Sequence, residues 1–337
     1  MQERKETLKF YSKSRRAFGK APLLLAVSFG TACPDSWDAE IGILEHAIAG
    51  RFPEYELRRA FSSRKIIHAI QARHGLSVEH VTQALERAVR DGFRQAVIQP
   101  FYFSDGYEYA ALQKVMQNYQ DSFAQAVCGS PLLTSDADLD AVARALVKST
   151  AGFDDGKTAF CFMGHGTCRT AEQALQTGSG KSHETEKAPH MEEKTLQTGS
   201  GKSHETEETP HMEREIAPGS KIAPYTIYEK LQARLTQEGH GHCYIGTMKE
   251  APSLQDMKQK LLRHGGYKRI VLRPLLITAG WHVREDMAGE KEHSWKNMLK
   301  KEGYEVICHL EGLGRNPDIQ RIFASHVKAA AESLRIK

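Results

Sequence analysis

The chain repeats a pattern of strand and turn once along its length. The segment LLLAVSFGT (23–31) matches AFCFMGHGT (159–167), and AVIQPFYFSDGYEY (96–109) matches IVLRPLLITAGWHV (270–283). Each segment contains an apolar run, typical of a buried strand, that leads into a turn containing glycine. Because the matched segments occur in the same order, the sequence predicts two copies of one fold.

A tandem repeat explains why the two copies differ in length. The interval between the matched glycine and proline is longer in the second copy (166–274) than in the first (30–100). Two successive units that begin LQTGSGKSHETE start at Leu175 and at Leu196, and their combined length accounts for most of the excess. The segment 172–221 lacks Phe, Tyr and Trp and is rich in Gly, Ser, Thr, Glu and Lys. Such a composition cannot bury enough apolar surface to fold. We therefore expect a disordered insert in the second copy.

Strand and helix patterns alternate along both copies, which favours an α/β protein with doubly wound parallel sheets. The segment SVEHVTQALERAVRDG, for example, predicts a helix that begins at the N-cap Ser77 and ends at Gly92. We expect a polar N-terminal extension over 1–20, one α/β half over 21–150 and a second over 151–337, interrupted by the insert.

Composition excludes several classes of protein. The net charge is +4 and no basic stripe is interleaved with aromatic residues, so the sequence predicts no nucleic-acid partner. No apolar run approaches the roughly 18 residues of a membrane helix, so no membrane partner is expected. The six cysteines form no CxxC pair, which favours reduced thiols and a cytoplasmic location.

The N-terminus leaves the location partly open. The segment SRRAFGKAPLLLAV (14–27) is similar to a twin-arginine export signal. Its apolar part, 22–27, also predicts the first buried strand, which cleavage would remove. We expect a cytoplasmic protein, with export as the alternative.

Titratable residues follow the predicted strands. Ligands of open α/β sheets bind at the carboxyl ends of strands, and this edge would gather Glu108, His165 and His282, with Glu285 and Asp286 nearby. Two imidazoles and a carboxylate suit a divalent transition metal and also suit proton removal near neutral pH. These three residues are therefore the candidate metal-binding and catalytic set.

The two copies differ at the position of the first histidine. His165 stands where the first copy has Phe29, while Glu108 and His282 occupy equivalent places. Such asymmetry in a duplicated fold favours a specialised cleft, although a histidine after a strand can also simply satisfy a backbone carbonyl. Gly164 and Gly166 would let a ligand or the backbone come close to this strand end.

Seven short motifs, spread over most of the chain and in the same order, resemble the anaerobic (class II) cobalt chelatases, the sirohydrochlorin cobaltochelatase family. They are VSFGT, RAFSSRKIIHAI, DGYEY, FMGHGT, AGWHVREDMAG, HSW and GLGRNPDI. The resemblance implies two Rossmann-like halves related by a pseudo-twofold axis. It also implies insertion of Co²⁺ into sirohydrochlorin or precorrin-2 in anaerobic cobalamin biosynthesis, with Co²⁺ as the substrate metal and no organic cofactor.

The resemblance further implies roles for the candidate residues. His165 and His282 would bind the metal, and Glu108 would complete the site and help the tetrapyrrole lose its protons. Because an imidazole must be neutral to bind a metal, we expect activity to fall below roughly pH 6. Apolar and aromatic residues near the strand ends would contact the macrocycle, with ordinary packing as the alternative; they are Phe29, Phe101, Phe103, Tyr107 and Trp281.

The sequence departs from the family pattern beside His165. Arg169 stands where members commonly have a further histidine, and it follows Cys168. A guanidinium group suits the carboxylates of sirohydrochlorin, so Arg169 is a candidate tetrapyrrole contact. Lys249 and Glu285 are further departures, and together these changes leave the metal open.

Several alternatives stay open at this point. One is insertion of Fe²⁺ or Ni²⁺ into the same tetrapyrrole, and another is a non-catalytic haem or metal carrier. The four histidines of the repeat would either load metal onto the site or reflect neutral expansion. The oligomeric state is open, with a homo-oligomer as one alternative.

Overall fold

Eight strands form two parallel sheets of four in the computed structural model, which describes residues 20–166 and 226–335. The strands are β1 (Leu23–Ser28), β2 (Glu56–Phe61), β3 (Gln95–Pro100), β4 (Gln125–Cys128), β5 (Thr158–Gly164), β6 (Cys243–Thr247), β7 (Arg269–Pro274) and β8 (Glu305–Cys308). The sheet orders are β2-β1-β3-β4 and β6-β5-β7-β8. The predicted doubly wound α/β fold is therefore confirmed. The insert 172–221 and residues 1–19 of the predicted extension lie outside the described residues.

Nine helices of seven residues or more flank the sheets in the described part of the chain. They are α1 (Ile43–Ala49), α2 (Arg64–His74), α3 (Val81–Arg90), α4 (Tyr107–Gln117), α5 (Asp136–Thr150), α6 (Ile227–Gln237), α7 (Leu254–His264), α8 (Trp295–Lys301) and α9 (Pro317–Arg335). Two π-helical segments, Trp37–Gly42 and Val283–Met287, lie near the carboxyl ends of the strands. None of the helices within the two described ranges has the length and apolar character needed to cross a membrane.

The start of α3 was predicted wrongly. The helix begins at Val81 rather than after Ser77, and the ring of His80 caps it by accepting the N–H of Thr82. The residues just before His80 instead lie against the end of β2, because the N–H of Phe61 donates to the carbonyl of Glu79. A tertiary backbone hydrogen bond thus replaces the local capping that the sequence suggested.

The central strands of the two sheets end in equivalent ways. The first residue after β3, Phe101, donates its N–H to Val27 over 2.7 Å, and the first residue after β7, Leu275, donates to Met163 over 2.8 Å. Val27 of β1 therefore corresponds to Met163 of β5. The residues two positions further along, Phe29 and His165, are consequently equivalent in space as well as in sequence.

The last helix of the chain lies against the sheet of the other half. Helix α9 packs on β3 and β4, where the ring of Phe323 meets that of Phe101 at 5.2 Å between centroids. A second contact between the halves is the hydrogen bond that Arg273 of β7, in the second half, donates to the carbonyl of Ser149 in α5 of the first half. One apolar core therefore extends across both halves and fixes their strand ends relative to each other.

Candidate functional site

Two imidazoles meet at the carboxyl ends of the central strands of the second sheet. His165 directly follows β5, and His282 lies eight residues after β7 at the start of a π-helical segment. Their ring centroids are 5.3 Å apart with an interplanar angle of 65°. The chain order reverses between β5 and β7, which is where doubly wound sheets bind ligands. The fold thus brings together two residues that are far apart in the sequence.

The orientation of the His282 ring is fixed by a carboxylate. Nδ1 of His282 lies 2.6 Å from Oδ2 of Asp286, one helical turn further along the chain. Since an ionised carboxylate only accepts, Nδ1 carries the proton of this hydrogen bond and Nε2 keeps its lone pair. A carboxylate bonded to the far nitrogen is the usual support of a metal-binding histidine.

A backbone carbonyl holds His165 in the same way. Its Nδ1 lies 3.2 Å from the carbonyl oxygen of Gly166, which again leaves Nε2 as the free acceptor. Burial lowers the pKa of His165, and the positive charge of Lys249 adds to this effect. A lowered pKa keeps the ring neutral and able to bind a metal near neutral pH.

Glycine is required beside His165 because the ring of Tyr228 occupies the space of a side chain. A Cβ atom at Gly164 would overlap that ring, and the Tyr228 hydroxyl accepts the N–H of Gly166 over 3.4 Å. Gly166 itself has a φ of +94°, which disfavours residues with a side chain. The side chain of Tyr228 thus packs directly against the backbone on both sides of His165.

Glu108 reaches the site from the first half. It is the second residue of α4, it is exposed, and its negative charge favours the protonated form of His165. Within residues 20–166 and 226–335, however, no three His, Cys, Asp or Glu side chains lie close enough together to hold a metal ion. The ring contact between the two histidines is therefore the compact part of the candidate site, and the role of Glu108 as a metal ligand stays a prediction.

Three large aromatic side chains near these strand ends are exposed to solvent. Phe29, Tyr107 and Trp281 are 48%, 60% and 50% exposed. Phe29 follows β1, while Tyr107 and Trp281 immediately precede Glu108 and His282. Their exposure leaves the three rings accessible to a flat ligand, and the contact with a macrocycle stays a prediction.

The sequence reasoning missed the residues that support the site. Asp286 was noted only as a neighbour, although its spacing of four from His282 was a usable signal for contact within a helix. Glu40 and Ser36, which hold the loop before His282, gave no local signal because their partners lie in the other half of the chain. Arg169 and Cys168 lie outside the described residues.

Comparison with known proteins gives consistent matches over nearly the whole chain. The cobalt chelatase (CbiK) family model matches residues 21–178 and 204–332. The sirohydrochlorin cobaltochelatase of Salmonella typhimurium is 26% identical over 307 residues, which cover 91% of this chain and 95% of that protein. Sirohydrochlorin cobaltochelatase CbiKC of Nitratidesulfovibrio vulgaris is 25% identical over 313 residues, covering 92% and 91%. The solved structure of SirB from Bacillus subtilis with Fe³⁺ has a TM-score of 0.54 at 11% identity, covers 93% of this chain and 97% of that chain, and shows a shared fold.

Proposed function

Because the chain belongs to the cobalt chelatase (CbiK) family, we propose that it inserts Co²⁺ into sirohydrochlorin in anaerobic cobalamin biosynthesis. The substrate is that named for two relatives whose lengths this chain matches. The structural observation that carries the proposal is the pair His165 and His282, each with Nδ1 occupied and Nε2 available.

The two histidines bind the incoming Co²⁺ through Nε2. Imidazole is a suitable ligand for this ion, and two neutral ligands hold it without adding charge that would trap it. The metal must leave the protein for the tetrapyrrole nitrogens, so a loose site is an advantage.

Glu108 accepts protons from the macrocycle. Insertion of Co²⁺ breaks two pyrrole N–H bonds, forms bonds from the metal to the ring nitrogens and releases two protons. An exposed carboxylate beside the cleft can take up each proton and pass it to water. This role needs no direct bond between Glu108 and the metal, and the reaction needs no organic cofactor.

The aromatic side chains and one arginine bind the tetrapyrrole. Phe29, Tyr107 and Trp281 offer flat apolar surfaces to the macrocycle. Arg169 pairs with one of its carboxylates, as the chemistry of the guanidinium group suggests. Together these contacts hold the ring while the metal moves.

Fe²⁺ or Ni²⁺ insertion and a carrier function were the alternatives from sequence, and the names of the relatives do not favour them. The free state of the five described cysteines fits a cytoplasmic enzyme. All residues of the proposed site belong to one chain. The reaction therefore does not require a homo-oligomer.

The experiment is an anaerobic chelation assay. The purified full chain is mixed with sirohydrochlorin and Co²⁺, and the absorption spectrum of the tetrapyrrole is followed against a protein-free control. We expect conversion well above the control rate with Co²⁺. A rate equal to the control, or a faster reaction with Fe²⁺ or Ni²⁺ at equal free metal, would contradict the proposal.

The function of the insert is tested in the same assay. Deleting residues 175–214 removes both repeat units and their four histidines. If the repeat loads metal, the variant slows at limiting Co²⁺ and recovers at saturating Co²⁺. Equal rates at limiting metal would leave the repeat without a loading role.

A further inference from the structure

The loop that leads into His282 is held by side chains of the first half. Oε2 of Glu40 accepts the N–H of Ala279 over 2.5 Å, and Oγ of Ser36 donates to the carbonyl of the same residue over 2.8 Å. Both backbone polar groups of Ala279 are thus bonded to the other half of the molecule. Ala279 lies only three residues before His282.

The second oxygen of Glu40 holds a second loop of the other half. Oε1 accepts the N–H of Gly312, in the loop after β8, over 2.7 Å. A side chain at Gly312 would collide with the backbone of Ile277 and Thr278, so the two loops lie in direct contact. Glu40 is 3% exposed, which places one carboxylate at the buried junction of both loops.

The partners of Glu40 differ from those of the next buried carboxylate on the same stretch of chain. Glu45, with a side chain 1% exposed, forms two hydrogen bonds with the guanidinium group of Arg59 and so belongs to an ion pair within the first half. Glu40 instead accepts two backbone N–H groups of the second half. Burial raises the pKa of Glu40, and these two hydrogen bonds partly oppose that effect.

A buried carboxylate is a costly way to join two surfaces, since apolar side chains of similar volume stabilise a fold as well or better. What a carboxylate adds is geometry: two acceptor atoms at a fixed separation define where two N–H donors must lie. At Glu40 those donors belong to the loops that frame His282.

We propose that Glu40, assisted by Ser36, is a positioning residue that sets His282 at the distance from His165 at which both rings bind one Co²⁺ ion. The contact acts across the two halves, so the geometry of the metal site depends on how the halves are joined. This inference rests on the proposed function for the identity of the metal, but its geometric content is independent of turnover.

The test compares Glu40→Gln with Glu45→Gln in the full chain. In Glu40→Gln the side-chain N–H₂ group faces one of the two backbone N–H donors. One hydrogen bond is therefore lost with little change in volume. The glutamine at 45 removes a buried charge of similar exposure without touching the loop before His282. Thermal unfolding of both variants reports the general loss of stability.

The decisive readout is Co²⁺ binding in the absence of tetrapyrrole, measured by calorimetry. Because the repeat histidines are a second candidate metal site, only the binding that His282→Ala abolishes is counted. We expect Glu40→Gln to weaken this binding by about 10-fold, the lower end of what supports of metal ligands contribute. The KM for Co²⁺ should rise while that for sirohydrochlorin stays unchanged, and Glu45→Gln should bind Co²⁺ like the native chain.

Ser36→Ala provides a second variant should Glu40→Gln fail to fold. It removes one hydroxyl, and a smaller shift in Co²⁺ affinity in the same direction is expected. Native Co²⁺ affinity in both variants, or an equal loss in Glu45→Gln, would overturn the positioning role. If the native chain bound Co²⁺ at His282 but did not convert sirohydrochlorin, the proposed function would fail while the role of Glu40 would still be decided.

Discussion

The two halves share a scaffold and differ in the side chains at its binding edge. The two sheets have the same strand order, and their central strands end in equivalent hydrogen bonds. Phe29 of the first half therefore corresponds to His165 of the second. Yet the second half carries two imidazoles at these positions. The first half has Phe29 at the position equivalent to His165 and Glu108 at the position equivalent to His282. Duplication therefore supplies two similar strand-end edges, and the proposed division of work assigns metal binding to one half and proton transfer to the other.

A second difference lies just before these positions. Gly164 of β5 leaves room for the ring of Tyr228, while its counterpart Ser28 carries a buried hydroxyl without a hydrogen-bond partner among the described residues. At this position the second half has no room for a side chain, whereas the first half accommodates the side chain of Ser28.

The largest expected effect is loss of the imidazoles. His165→Ala and His282→Ala should each lower kcat/KM at least about 100-fold, because even supports of metal ligands contribute about 10- to 100-fold. Phe29→Ala, at the position matching His165, should act mainly on the KM for sirohydrochlorin. Steady-state kinetics with both substrates varied checks this, and full activity in His282→Ala would show that the site is misassigned.

Replacing Glu108 should separate proton transfer from metal binding. We expect Glu108→Gln to lower kcat by about 100-fold, a typical contribution of a general base. The Co²⁺ affinity measured without tetrapyrrole should change far less, because the proposal assigns metal binding to the two histidines and proton transfer to Glu108. Parallel losses of kcat and Co²⁺ affinity would instead make Glu108 a metal ligand.

Removing the carboxylate that orients His282 should lower activity less than removing the histidine itself. Asp286→Asn removes the carboxylate that orients the ring and should lower Co²⁺ affinity and kcat/KM by about 10-fold. Glu285→Gln, on the adjacent residue of the same segment, is the matched control and should have little effect. If both variants behave alike, local charge rather than ring orientation is responsible.

The packing difference can be tested by stability. Gly164→Ala pushes a methyl group against the Tyr228 ring and should destabilise the fold by about 1–3 kcal/mol, as overpacking generally does. Ser28→Ala at the equivalent position removes an unpaired hydroxyl and should stay within about 0.5 kcal/mol of the native chain. Denaturant unfolding of both variants measures the contrast, and equal losses would mean that the two strand ends are packed alike.

The smallest expected effect is a pH dependence of the contact between the halves. Burial raises the pKa of Glu40 above its usual 4.5, so the folded state binds this proton more tightly than the unfolded chain. Its contribution to stability is therefore complete below that value and declines as the pH rises through the pKa of the folded state. Relative to the Tm of Glu40→Gln, the Tm of the native chain should fall from pH 4.5 upwards, and a relative Tm that rises with pH would contradict this sign.

Much of the fold followed from local patterns. The apolar runs of β1 and β5, the alternation of strand and helix patterns and the repeated order of segments were enough to predict two doubly wound halves. The start of α3 was wrong because Phe61 bonds to the backbone before His80, and no local rule describes such a contact. The predicted boundaries at 150 and 151 stay a prediction.

The sequence by itself determined which residues reach the binding edge, because a residue that follows a parallel strand must lie at its carboxyl end. That reasoning found His165, His282, Glu108 and the exposed aromatic groups. Only the tertiary structure decided that the two imidazoles come into contact, with ring centroids 5.3 Å apart. It alone revealed that Glu40 holds the loop before His282, since hydrogen bonds between residues of different halves depend on how the halves pack and leave no periodic trace in the chain.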